Sequence, residues 1–448
     1  MKNGEKETKI PVIDLFAGPG GLGEGFSCFP RGKQKKRFKI HLSVEKDANA
    51  HKTLTLRAFY RQFPEGKAPD EYYEYVRGKG YFKEEITWED LKKRFPKQTA
   101  AAEDEARRLK LGEPESDGKV HDLIKVKTES VPYWVLVGGP PCQAYSLAGR
   151  SRRLGFVKKD RETEEEFQER KQKGIKEFEE DEKQKLYEEY RRIIADHWPS
   201  VFVMENVKGM GSARDKIDGN RLFPKMIEEL SDPGFATKGK TGKHTYNVYS
   251  FLTGIGDRNG NDLSAGEYEI HSESFAVPQK RHRIILLGIR DDLNIGSCKS
   301  LKTKRRAVLE DVIRDLPPLD SSITRAPEST ARTVISDFES SEWFKELLRS
   351  EGQEDVIDEI RRMARLVRGK KAKGGRFLRW EKKPEELRWE EWFHDPKLEG
   401  VLNHESRRHM ASDLERYFFA SCFTRARGKS PTLVDFPEAL LPNHKNIV

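Results

Sequence analysis

Six short apolar runs, spread over residues 10–295 and separated by stretches of helical spacing, constrain this chain more than any other feature. They are "KIPVIDLFAG" (9–18), "FKIHLSVE" (38–45), "YWVLVGGPP" (133–141), "SVFVMENV" (200–207), "YNVYSFLTG" (246–254) and "RHRIILLGIR" (281–290). Each is rich in β-branched residues and bounded by Gly, Pro or polar residues, so each is predicted to be a strand. Several are apolar throughout, as strands buried on both faces must be. "DEKQKLYEEYRRIIADHWPS", just before the fourth run, has helical spacing. Such alternation predicts an α/β fold with a mostly parallel sheet.

Two polar segments interrupt the pattern, at 56–130 and 156–188; the second is highly charged and predicted helical. After residue 291 the alternation fades, which places a domain boundary near 291–310. We therefore expect a first domain over 1–295 and a smaller, irregular second one over 296–448, in line with a length of 448 residues. In the second, 361–383 holds eleven Lys or Arg against one acid, with Phe377 and Trp380 interleaved. The net charge of +9 favours a polyanionic partner. No run approaches the ~18 apolar residues that a membrane span needs. The four cysteines are far apart and form no CxxC pair, which argues against a disulfide framework or a structural zinc site; no metal is expected. The N-terminal stretch lacks an apolar signal, so a reducing cytoplasm is expected.

Four motifs carry chemistry. "DLFAGPGGLGEGF" (14–26) follows the first strand, where glycines permit a tight turn and close approach to a ligand. It fits the dinucleotide fingerprint poorly, because Phe16 and Pro19 stand where that loop needs other residues. Glu45, ending the second strand, could accept hydrogen bonds from ribose hydroxyls or be a surface carboxylate. "GGPPCQAYS" (138–146) sets Cys142 on a corner stiffened by two prolines, as a nucleophile requires; a buried core cysteine is the alternative. In "MENV" (204–207), Glu205 ends an apolar run, where desolvation would raise its pKa and suit it to acid catalysis, unless it is a cap or an ion-pair partner. In "VPQKRHRIILLG" (277–288), Gln279, Arg281 and Arg283 share one face of an extended segment, able to hold a carbonyl, a phosphate or an acid. Ordinary surface arginines are the bland reading, and His282 faces the other way.

In this order, each beside a strand, the four motifs resemble those of the DNA cytosine-5 methyltransferase family, prokaryotic type. The resemblance covers roughly 10–290, and the Pro-Cys-Gln motif is its most specific part. It implies a Rossmann-like, S-adenosylmethionine-dependent methyltransferase domain, with 296–448 as target-recognition region and 361–383 contacting phosphate. It implies that the Cys142 thiolate adds to carbon 6 of a flipped-out cytosine, that Glu205 contacts ring nitrogen 3 and the amino group, and that Arg283, with Arg281, holds the ring carbonyl. Phe16, Gly18, Gly20, Gly21, Leu22 and Glu45 would bind S-adenosylmethionine. The basic loop 149–155 would close over the base, and Ser146 would touch phosphate. The partner implied is duplex DNA, in a restriction–modification setting in a prokaryotic cytoplasm, at the nucleoid.

The chain departs from the family pattern twice. The acidic residue of the third strand has no clear counterpart beyond Asp122. The usual C-terminal Gly-Asn segment is not found before "LLPNHKNIV", so we expect a truncated chain, a second polypeptide that supplies the segment, or a local replacement. Two alternatives stand beside the leading reading: transfer-RNA cytosine-5 methylation, and a DNA-binding or regulatory subunit inactive without a second polypeptide.

Overall fold

All six apolar runs become strands of one sheet, and their boundaries fall where Gly, Pro or charge interrupts them. The computed structural model describes residues 9–30, 35–78, 85–141, 163–164, 182–213, 221–293, 295, 297–323, 326–366, 374–380 and 390–441. The strands are β1 (Ile10–Leu15), β2 (Phe38–Val44), β3 (Ala106–Arg107), β4 (Val135–Gly138), β5 (Val201–Val207), β6 (Tyr246–Ser250), β7 (Gly256–Asp257), β8 (Glu269–His271) and β9 (His282–Arg290). Their order is β3-β2-β1-β4-β5-β9-β6-β7, with β8 also paired to β9. Pairing is parallel from β3 through β5. It turns antiparallel at β9, which lies between β5 and β6. This is a Rossmann-like α/β fold.

Strand alternation sorts the core into two layers. Ile13, Leu15, Leu42, Leu136, Phe202, Met204 and Leu286 face one side. There they meet helices α5 (Pro114–Thr128), α6 (Glu182–His197) and α7 (Leu222–Ser231) through Val120, Ile124, Tyr190, Ile193, Phe223 and Ile227. Val12, Ile40, Val135, Val137 and Val203 face the other side, where Leu22 and Phe26 of α1 (Gly21–Ser27) pack. Each fully buried aliphatic side chain contributes roughly 1.5–3 kcal/mol. Burial on both faces is why the middle of β4 and the first half of β5 are apolar throughout.

The polar segment 56–130 contains more of the sheet than its composition suggests. It continues α2 (Ala48–Tyr60), then supplies α4 (Pro96–Glu105), β3 and α5. With two residues, β3 is too short to leave a periodic signal. Arg61 ties the layer together by pairing with Glu24 of α1 and Glu105 of α4.

The chain divides into two compact units, residues 1–68 with 88–309, and residues 69–87 with 310–448. The main part of the second begins at residue 310, the end of the 291–310 span, and it includes a piece of the first insertion. That piece carries α3 (Asp70–Arg77). Arg77 donates to the carbonyl oxygens of Lys397 and Leu398, at 2.6 and 3.0 Å, and its guanidinium lies 5.6 Å from the centre of the Phe377 ring. Tyr73 donates to Asp395 at 2.9 Å. Helices α8 (Glu342–Arg349), α9 (Glu354–Leu366) and α10 (Ala411–Arg427) enclose a core of Trp343, Phe344, Val356, Ile360, Phe419 and Phe423. Strands β10 (Gly374–Arg379) and β11 (Gly400–Glu405) pair antiparallel. The basic stretch 361–383 is thus split between the end of α9 and β10, its remaining residues lying outside those described. Phe377 is only 1% exposed, so it packs inside the unit while Arg376 and Arg379 face solvent.

Candidate active site

The glycine-rich turn leaves β1 with its backbone in conformations that only a few residues adopt easily. Phe16, Gly18 and Gly20 all have positive φ, at 57°, 56° and 94°. The turn is pinned at both ends, by Ala17 N–H donating to the Val44 carbonyl at 3.0 Å and Gly18 N–H donating to Glu45 Oε2 at 2.8 Å. Glu45 Oε1 accepts from Asp47 N–H at 2.7 Å. The end of β2 thus binds the loop after β1, and Glu45 has a positioning role that its sequence context did not reveal. Leu22 turns inward against the Val12–Ile40 layer, while Gly21 opens α1.

Asp14, which the sequence reading left unassigned, lies beneath this turn. It is fully buried, and its Oδ2 accepts from Gly23 N–H at 3.1 Å. Among the described residues its Oδ1 has no partner. Burial pushes the Asp14 carboxyl up to about 7, against the opposing pull of the Gly23 N–H and of Arg61. A charge at the end of an otherwise apolar strand was the signal that could have found it.

The second cluster forms where β4 and β5 end and β9 begins. Glu205 Oε1 accepts from Arg283 Nε at 2.8 Å, and Arg281 Nη2 lies 3.5 Å from the same oxygen. The alternation of 281 and 283 therefore brings both guanidinium groups to one carboxylate. Arg283 also donates through Nη1 to the His282 carbonyl at 2.8 Å. Glu205 is expected from its sequence to be desolvated; instead it is a quarter exposed and ion-paired. Among the described residues, its Oε2 accepts no hydrogen bond. That oxygen lies beside Gly139, where a Cβ would stand 3.1 Å away, so a side chain here would crowd the Glu205 carboxylate. Asn206 Nδ2 donates to the Pro140 carbonyl at 3.4 Å, joining "MENV" to the paired prolines.

Ser272 clasps the turn that delivers the arginines. Its N–H donates to the Arg281 carbonyl at 3.1 Å, and its hydroxyl accepts from Arg281 N–H at 3.1 Å and donates to the Gln279 carbonyl. Sequence reasoning missed it, because a serine nine residues from Arg281 offers no pattern. Cys142, Ser146 and the loop 149–155 lie outside the described residues, directly after Pro141. Asp122 is exposed on α5 and far in sequence from the end of β3, so it is no counterpart of a third-strand acid.

The model of the C-5 cytosine-specific DNA methylase family matches residues 168–391, half of the chain, a span that includes Glu205, Arg281 and Arg283. The Type II methyltransferase M.Bpa9945I of Bacillus paralicheniformis is 30% identical over 322 residues, which are 69% of this chain and 61% of that protein. The Type II methyltransferase M.FnuDI of Fusobacterium nucleatum is 30% identical over 216 residues, 46% of each. The chain thus spans less than two thirds of the length of either relative. The structure of the Entamoeba histolytica methyltransferase EhMeth aligns at TM-score 0.33 and 14% identity, over 67% of this chain and 58% of that one. No helix among the described residues is long and apolar enough to cross a membrane.

Proposed function

Because this chain belongs to the C-5 cytosine-specific DNA methylase family, we propose that it transfers a methyl group from S-adenosylmethionine to carbon 5 of cytosine in a specific duplex DNA sequence, within a prokaryotic restriction–modification setting. The observation that carries this reading is the convergence of Glu205, Arg281 and Arg283 on the corner that precedes Cys142. Those groups lie at the carboxyl ends of β4 and β5, where open α/β sheets place their chemistry.

The glycine-rich turn suits the methyl donor. Nothing lies within 4 Å of where a side chain would project from Gly18 or Gly21, so the turn offers an open cradle. Phe16, Gly18, Gly20, Gly21, Leu22 and Glu45 would hold S-adenosylmethionine, which supplies the methyl group when bound. Leu22 contributes backbone rather than side chain, since the side chain packs inward. Glu45 has spare lone pairs beyond the two backbone N–H groups it already accepts.

Carbon 5 of cytosine is not nucleophilic, so the chain must activate it. The Cys142 thiolate adds to carbon 6, and the new S–C bond makes carbon 5 enamine-like. Glu205 Oε2, uncommitted among the described residues, faces ring nitrogen 3 and the amino group. Arg283 fixes the other carboxylate oxygen and, with Arg281, holds the ring carbonyl. Transfer to carbon 5 would break the methyl–sulfur bond and leave S-adenosylhomocysteine; loss of the carbon 5 proton to water and elimination of the thiolate then restore the aromatic ring and free Cys142. A ring face inside a duplex is shielded, so the base is flipped out, at roughly a few kcal/mol. The loop 149–155 closes over it, and the basic residues of the second unit contact phosphate.

The test is methyl transfer from labelled S-adenosylmethionine to random-sequence duplex DNA, followed by sequencing for 5-methylcytosine. Methylation at a defined motif that disappears in Cys142→Ser is the expected result. Transfer to transfer RNA in place of duplex DNA would overturn the substrate. Full transfer by Cys142→Ser would overturn the nucleophile.

A further inference from the structure

β9 runs away from the active site, and the chain then returns to it with its positive charge gathered in one short segment. Residues 298–309, "CKSLKTKRRAVL", hold Lys299, Lys302, Lys304, Arg305 and Arg306 and no acid. All five basic residues are exposed, and 299–308 form neither helix nor strand. The segment is nevertheless pinned at three points. Leu301 N–H donates to the Phe251 carbonyl at 2.7 Å, and Lys304 N–H donates to the Ser274 carbonyl at 2.9 Å. The Cys298 carbonyl packs against Gly254, whose φ is 73° and where a Cβ would stand 2.4 Å from that oxygen. The two hydrogen-bonded carbonyls lie at the active-site end of the sheet. Phe251 directly follows β6, whose Ser250 pairs with Leu286, while Val207 at the end of β5 pairs with Arg283. Ser274 is two residues from Ser272, which clasps Arg281. Neither the four motifs nor the basic stretch 361–383 includes this segment.

We propose that residues 299–306 form a contact surface for the phosphate backbone of duplex DNA, at the end of the sheet that carries Glu205, Arg281 and Arg283. The inference rests on the reading of the chain as a DNA methyltransferase and adds a place in the first unit where the duplex is held. Three observations support it. First, Lys299, Lys302 and Lys304 have no carboxylate within ion-pair distance among the described residues. Exposed lysines elsewhere in the unit do have one, as Lys119 has Glu115 and Lys238 has Asp196. Like charges so close in sequence repel one another, and a polyanion laid across them turns that repulsion into attraction. Second, the backbone of the segment is already held in place, so little chain entropy is lost when phosphate binds. Third, lysine ammonium groups are point charges that suit phosphate oxygens. Base edges in the major groove are read by a helix or a two-stranded ribbon, and 299–308 offers neither. The segment therefore contributes affinity and register, and leaves the choice of sequence to other residues.

The experiment measures binding of the whole chain to a fluorescently labelled random-sequence duplex over a series of potassium chloride concentrations, with methyl transfer followed in parallel. The triple variant Lys299→Gln, Lys302→Gln and Lys304→Gln should make the slope of log affinity against log salt shallower by about 2–3, at roughly 0.9 per phosphate contact. Lys299→Arg, Lys302→Arg and Lys304→Arg together should keep the original slope, since the charge is retained. Sequencing should show the same methylated motif for the Gln variant. Its melting temperature should be unchanged, because the three side chains are exposed. Lys238, Lys240 and Lys243 are also exposed and precede β6, at the opposite end of the sheet. Lys238→Gln, Lys240→Gln and Lys243→Gln remove the same charge and should alter the slope by less than about 1. An unchanged slope in the first variant, or an equal loss in the second, would overturn the surface while duplex methylation by the unaltered chain stands. A shifted motif would make these lysines base readers and overturn the phosphate assignment. A shallower slope on transfer RNA with none on duplex DNA would overturn the proposed partner. Absence of duplex binding by the unaltered chain would overturn the functional reading together with the surface.

Discussion

Two carboxylates in the first unit illustrate how differently burial and pairing act on one chemical group. Glu205 is ion-paired near the carboxyl end of a central strand, whereas Asp14 is enclosed with one oxygen unpartnered among the described residues. Glu205→Gln keeps the shape but loses the charge that Arg283 balances, and we expect transfer to fall by at least about 100-fold with the melting temperature little changed. An unaltered rate would make Glu205 structural. For Asp14 the sign follows from a folded pKa near 7 against an ordinary 3.8. Between those values the folded chain retains a proton that the unfolded chain has released, so stability falls as pH rises from about 4 to about 7. The loss is up to about 4 kcal/mol. Asp14→Asn removes the ionisation, so its denaturation midpoint should decline far less between pH 4 and pH 7 than that of the unaltered chain. An equal decline in both would assign the pH dependence to other groups.

At the scale of elements, the turns carry the site and the strands aim it. Gly139→Ala sets a methyl group 3.1 Å from Glu205 Oε2, which displaces the carboxylate by a few tenths of an ångström. We expect a kcat loss of at least about 10-fold with little change in DNA affinity, measured by single-turnover methyl transfer and filter binding. The main sheet's six strands of four or more residues were legible because their buried positions gather β-branched and aromatic side chains into short runs, unbroken in β4 and alternating in β6. β3, β7 and β8 were not, since two or three residues carry no period. Glu205, Arg281 and Arg283 were legible as strand-end polar residues, and the alternation of 281 and 283 is what sets both guanidinium groups beside Glu205. The ties that orient them were not: Ser272 to Arg281, Asn206 to Pro140 and Gly18 to Glu45 join residues whose proximity arises only once the sheet has formed. That Phe377 is buried was not legible, because a basic surround hides the one inward position of a short strand.

Across the whole chain, the second unit depends on a helix encoded inside the first. Arg77→Ala would leave the carbonyls of Lys397 and Leu398 without their guanidinium donor and uncover the Phe377 ring. A loss of roughly 2–4 kcal/mol is expected. Hydrogen exchange should register it as faster exchange across β10 and β11, with β1 and β5 unchanged. Equal acceleration in both units would mean that Arg77 supports the entire chain. The same arrangement sets a delay during synthesis. Arg77 emerges 320 residues before Lys397, which at about 5–20 residues per second is on the order of 15–60 s. Throughout that interval Tyr73 and Val76, buried in the folded chain, lack the partners from residues 374–400 that later cover this segment, so the ribosome-bound nascent chain presents adhesive side chains long before its own polypeptide can shield them.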